Sequence, residues 1–168
     1  MLIDAGPRDQ RPVQGLPHYG LIYRGEVLAE DRTLAGAVRV TLHVQSNCRD
    51  TDFIAKLIEV ESDGRAMLLM DGVVRAMYRD AATEPQPLRP DQVYRLTIHL
   101  GDIHHTCRAG NRIQVDVTSS NFPRRARNTN SGNPLLAHDS EADICVATNT
   151  VHHDDATPSF VEMLVLTP

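Results

Sequence analysis

Residues 112–132 read RIQVDVTSSNFPRRARNTNSG. In the first third, Ile113, Val115 and Val117 alternate with Arg112, Gln114, Asp116 and Thr118, and a period of two puts successive side chains on opposite faces of a strand. This predicts a half-buried strand over 112–119, with the three aliphatics inward and the four polar residues outward. The run then passes into a loop that carries Arg124, Arg125 and Arg127 among Ser, Asn and Thr residues, with Phe122-Pro123 as an apolar anchor. A strand that ends in a long polar crossover, with no helical period on either side, is the signature of a β-sandwich.

Upstream, the same period recurs. Val38, Val40, Leu42 and Val44 alternate with polar neighbours over 37–45, and Tyr94, Leu96, Ile98 and Leu100 share one face of 93–100. A strand over 53–61 runs into Ser62-Asp63-Gly64-Arg65, for which a type I′ hairpin is expected. A second Asp-Gly, at 71–72, predicts another turn between strands at 66–70 and 73–78. Residues 101–110 are polar and end in a turn at Ala109-Gly110-Asn111. Further strands are expected at 20–23, 142–152 and 160–166, giving about eight strands and no segment of helical period. Residues 80–90 hold three prolines and form a surface connection. Residues 1–18, with three of the ten prolines and two glycines, read as an extended lead-in, and the domain proper as 19–168.

Bulk composition narrows the function classes. At 168 residues the chain is one domain, able to bury about two-thirds of the surface of its unfolded form. A formal net charge of −5 argues against nucleic acid, whose binding depends on neutralising phosphates. No run approaches the roughly 18 apolar residues of a membrane helix. Cys48, Cys107 and Cys145 are far apart and lack zinc or redox spacing, so three reduced thiols in a cytoplasmic protein are expected. Trp is absent, which counts against a sugar-binding platform.

No catalytic constellation is complete. The G-x-S-x-G elbow that exposes a serine nucleophile does not occur, since the residue two places before Ser62 is Val60. Adjacent histidines at 104–105 and 152–153 point to opposite faces of a strand and are poorly placed to chelate one ion, so no metal site and no cofactor is expected. The acids at 50–52 and at 139, 141 and 143 lack the EF-hand pattern and read as turn-forming or solvated. The arginine loop can grip a carboxylate or phosphate in forked geometry, pair with a partner's acids, or be solvated.

Several ordered blocks carry a family resemblance. They include Asp50-Thr51-Asp52-Phe53, Asp63-Gly64-Arg65-Ala66, Gly110-Asn111-Arg112-Ile113, Ser119-Ser120-Asn121-Phe122-Pro123-Arg124, Arg127-Asn128 and Asn149-Thr150-Val151-His152-His153-Asp154. Together they resemble the carboxy-terminal domain of X-Pro dipeptidyl-peptidases and cocaine-esterase-like (CocE/NonD) serine hydrolases. The resemblance implies an all-β jelly-roll sandwich of the galactose-binding-domain-like kind, non-catalytic, packed on an α/β-hydrolase domain that carries the Ser-Asp-His machinery. It also implies that residues 9–13 resemble the linker after that domain, and that Met1 stands where a longer member would be mid-chain. Asp50, Asp52, Phe53, Ser120, Asn121, Phe122, Arg124, Arg127 and Asn128 are then the candidates for contact with the partner or its substrate pocket. A homo-oligomer is expected if the partner's docking face lies bare. The competing expectation is a freestanding carbohydrate- or protein-binding sandwich.

Overall fold

The computed structural model describes residues 7–166; the first six residues of the expected lead-in and the last two of the expected domain lie outside them. Among the described residues there are eight strands: β1 (Leu21–Val27), β2 (Arg32–Ser46), β3 (Asp52–Val60), β4 (Ala66–Arg75), β5 (Tyr94–Cys107), β6 (Arg112–Thr118), β7 (Asn149–His152) and β8 (Phe160–Leu166). They form two antiparallel sheets. The first runs β1-β6-β3-β4, and the second has β2 at its centre, with β5 on one side and β7 and β8 end to end along the other. Among the described residues no helix is long and apolar enough to cross a membrane.

The alternating aliphatics make the core. Val38, Val40, Leu42 and Val44 of β2 and Leu96 and Ile98 of β5 pack into one cluster with Phe53, Ala55 and Leu57 of β3 and Val115 and Val117 of β6. Each fully buried side chain of this size contributes roughly 1.5–3 kcal/mol. The sandwich fold read from the sequence is therefore the observed one, although several local readings change.

The hairpin at 61–65 is not type I′, which needs a positive φ at both central residues. Only Gly64 has one (φ +88), and the hydrogen bonds from Gly64 N to Glu61 O and from Glu61 N to Arg65 O close a three-residue loop with a glycine bulge. The second Asp-Gly is no turn at all. β4 runs straight through it, because Gly72 lies against β5: a Cβ there would sit 2.4 Å from the His99 carbonyl oxygen. β5 likewise continues past residue 100 to Cys107, with one extra residue, Leu100, absorbed as a bulge beside Gly101 (φ +112), which pairs with Val38. β7 begins at Asn149, not at 142. Ile144 and Val146 alternate but are exposed, and the Cys145 backbone is bound to Thr129 and Asn130 of the long loop instead of to a strand.

The largest correction concerns the outer face of the first sheet. Gln114 and Asp116, expected outward in solvent, are fully buried, and Thr118 nearly so. The lead-in covers them. It is not wholly extended: Arg11–Gln14 form a single helical turn, α1, and Asp9 bridges to Met67 of β4.

Candidate functional site

Three polar features stand out against this frame, two on the first sheet and one in the crossover loop. Across β6, β3 and β4 the outer face carries Asp116, Lys56 and Asp71 in register. The Asp116 carboxylate accepts from Gln14 Nε2 (2.8 Å), Tyr19 Oη (2.9 Å) and Gln114 Nε2 (2.7 Å). Lys56 Nζ donates to Gln10 Oε1 (3.1 Å) and Tyr19 Oη (3.3 Å). Burial pushes Lys56 below the usual lysine range while Asp116 and Asp71 pull it back; burial and the Asp116 charge push the Tyr19 hydroxyl up. A buried charge is tolerable only when paired and hydrogen-bonded; here the opposite charges share the sheet, and Gln10 and Gln14 of the lead-in, with Tyr19 just after it, supply hydrogen bonds. The row is a lock between lead-in and sandwich. Sequence pattern missed it, since period two reports which face a residue takes and not what covers that face.

The second feature is the acidic block before β3. Asp50 is fully buried: one oxygen accepts from Met77 N (3.0 Å) and the other from Arg75 Nε and Asn128 Nδ2 (2.9 Å). Asn128 Nδ2 also reaches Asp52 Oδ1 (2.8 Å). Burial raises Asp52, with the Asn128 hydrogen bond acting the other way. Asp50, Asp52 and Asn128, far apart in sequence, are thus brought together as the anchor of the long loop. Phe53 is core at 1% exposure and presents nothing to a partner.

The loop itself is ordered by its own polar residues. Asp139 accepts from Thr129 Oγ1, Ser131 Oγ (2.7 Å) and Asn133 Nδ2 (2.9 Å), bonds that hold its carboxyl below the usual range, and Asp143 caps the turn at Ser140. Asn121 and Arg124 both reach the buried Asp71 carboxylate, each at 3.2 Å. Ser120, Phe122 (68% exposed) and Arg127 remain on the surface, and Arg127 makes no hydrogen bond or ion pair among the described residues. The candidates therefore divide into buried anchors (Asp50, Asp52, Phe53) and a displayed set (Ser120, Phe122, Arg124, Arg127), with Asn121 and Asn128 half-buried between them.

A largely apolar cleft also opens on the surface. Between the free edges of β1 and β8 a cleft of about 590 Å³ opens onto the core, lined by Ile22, Val40, Leu42, Val115, Phe160 and Val161. Every residue of β1 is exposed. Tyr23 and His153 meet edge to face across the mouth with ring centroids 6.4 Å apart, and burial pushes the Tyr23 hydroxyl up. Ser119, where the loop leaves β6, accepts from Asn149 Nδ2 (2.8 Å) at the start of β7, so loop and cleft share one end of the sandwich.

Residues 16–162 match the family model of the X-Pro dipeptidyl-peptidase C-terminal non-catalytic domain. The chain belongs to this family. It is 37% identical over 163 residues to the cocaine esterase of Rhodococcus sp. (strain MB1 Bresler), covering 97% of this chain and 28% of that one. Among solved structures it resembles an aminopeptidase from a marine sediment Thaumarchaeota archaeon, with TM-score 0.91, 28% identity, and 96% of this chain against 28% of the other. It also resembles an α-amino acid ester hydrolase, with TM-score 0.90, 30% identity, and 95% of this chain against 27% of the other. In each case the non-catalytic jelly-roll domain spans little more than a quarter of the relative's length.

Proposed function

We propose that this domain docks on an α/β-hydrolase domain, in cis or in trans, through the β1–β8 cleft and the adjoining arginine-rich loop, and that it forms part of the wall of the hydrolase's substrate pocket. The observation that supports this best is the bare rim: two strand edges and an apolar cleft that reaches core side chains, on a domain whose relatives are more than three times its length. Soluble proteins protect such edges with Lys, Pro or a covering element, and β1 (LIYRGEV) and β8 (FVEMLVL) carry neither Lys nor Pro. An apolar patch rimmed by polar groups is the pattern of an interaction surface. Phe122 and Arg127, exposed in the loop that follows β6, then meet the partner directly, and Arg124, already engaged by Asp71, is oriented for it. The parent reaction is acyl transfer through a serine on the partner.

The test is a domain exchange. Residues 1–168 replace the matched segment of the Rhodococcus cocaine esterase, and hydrolysis of short acyl esters is measured. The exchanged protein retains activity; Ile22→Lys, which puts a charge into the cleft, removes most of it, and Arg127→Ala lowers it less. Full activity in the Ile22→Lys exchange contradicts docking through the cleft. Turnover of X-Pro amides or acyl esters by residues 1–168 alone, abolished by a serine-directed inhibitor, contradicts the non-catalytic assignment.

A further inference from the structure

At the other end of β6, away from the crossover loop, lies a cluster that the docking reading does not use. We propose that Glu59, His105 and Cys107 form a three-ligand site for a divalent transition metal of the zinc class, with a fourth position open to water.

His105 and Cys107 are two apart on β5 and so share one side of the strand, unlike the adjacent pair His104-His105; Glu59 comes from β3 in the other sheet. The candidate ligand atoms of the three all lie within 4.8 Å of one another. A tetrahedral ion with bonds of about 2.0–2.3 Å needs its ligands roughly 3.3–3.6 Å apart, so closure takes side-chain shifts of about 1 Å. The donor set is imidazole, thiol and carboxylate. Sulfur excludes the hard oxygen-seeking ions calcium and magnesium and favours zinc or cobalt.

The surroundings are built as an outer shell for such an ion. Glu59 Oε1 is held by the Arg108 backbone N–H (3.1 Å) and by Asn111 Nδ2 (2.7 Å), which leaves Oε2 facing His105 Nε2 at 2.7 Å. Fixing one carboxylate oxygen with two donors orients the other, which is how outer-shell groups aim metal ligands. Cys107 is fully buried and Glu59 is 7% exposed, while His105 borders a polar hollow of about 770 Å³ that also touches Thr106, Arg108 and Asn111. That hollow is the route for the ion and the place for its water.

Binding is balanced as a proton exchange. The ion takes the place of the proton that His105 Nε2 donates to Glu59, the neutral imidazole then carrying its one proton on Nδ1, and the Cys107 thiol proton leaves to solvent. Burial, with the Glu59 charge adding to it, pushes that thiol up to about 12, so the metal-free site holds a protonated sulfur.

The test uses residues 1–168, stripped with chelator and titrated separately with zinc and with cobalt. One equivalent binds, zinc at a hundredfold excess over Kd raises the melting temperature by about 5–10 °C, and cobalt gives a thiolate-to-cobalt charge-transfer band. Cys107→Ser abolishes the band, and His105→Ala, at a partly exposed position, abolishes the zinc-dependent shift without opening the core. His104→Ala and Cys145→Ser leave both intact. The proposal is overturned if neither ion shifts melting and no band appears, or if the band survives Cys107→Ser and is lost in Cys145→Ser. Neither result bears on hydrolase docking, which uses β1, β8 and the loop after β6 and none of these three side chains.

Discussion

β3 and β1 flank the same strand, β6, in the same sheet, yet all nine residues of β3 are buried and all seven of β1 are exposed. Sequence alone does not separate them: Phe53–Val60 and Leu21–Val27 both mix aliphatics with charges. What differs is cover. β3 has the second sheet on its inner face and, on its outer face, the lead-in and the residue after it, whose Gln10 and Tyr19 bind Lys56. β1 has a neighbour on one edge only, and its inner face opens into the cleft. A strand's burial is thus a property of what lies over it, and a bare strand in an otherwise closed sandwich marks where something else belongs.

The contrast can be broken most strongly on the β3 side. Lys56→Ala leaves Asp116 buried without its neighbouring cation, while Asp71 keeps Arg124, and breaking a buried ionic arrangement by removing one partner costs about 3–5 kcal/mol. A drop of that size in the urea-denaturation free energy is expected. A loss below about 1 kcal/mol would mean that the outer face is wetter than its burial implies. Next comes the cover itself: Tyr19→Phe removes one donor to Asp116 and one acceptor for Lys56, for an expected loss of about 1–3 kcal/mol. The smallest effect belongs to β1. Ile22→Lys changes the stability of residues 1–168 by no more than about 0.5 kcal/mol, the range of exposed substitutions. The same change suppresses self-association of the isolated domain, read by light scattering, if the bare rim drives it.

Much of this was legible beforehand. Strong alternation places β2, β5 and β6, the run ahead of the Asp63-Gly64 turn places β3, and β8 is located at Phe160–Leu166. The misreadings share a cause. Asp71-Gly72 has turn chemistry, but Gly72 serves close approach to β5, a tertiary demand that no local pattern contains. Ile144 and Val146 alternate as a strand would, yet they find no partner strand. Asp116 lies on the face opposite the aliphatics, as period two requires, and is buried because residues about a hundred positions earlier fold over it. For the candidate site, the family blocks picked out Asp50, Asp52 and Asn128, and their meeting as a buried anchor required the fold. Glu59, His105 and Cys107 carry no spacing that joins all three: His105 and Cys107 are two apart on one strand, and Glu59 comes from the opposite sheet.

Backbone amide hydrogen exchange, strand by strand, tests the docking claim most directly. In residues 1–168 alone, the amides of β1 that do not pair with β6 exchange fast while those of β3 are strongly protected. In the exchange protein carrying the hydrolase portion of the Rhodococcus cocaine esterase, β1 becomes protected at least tenfold with β3 unchanged. Equal exchange of β1 in both proteins would contradict it.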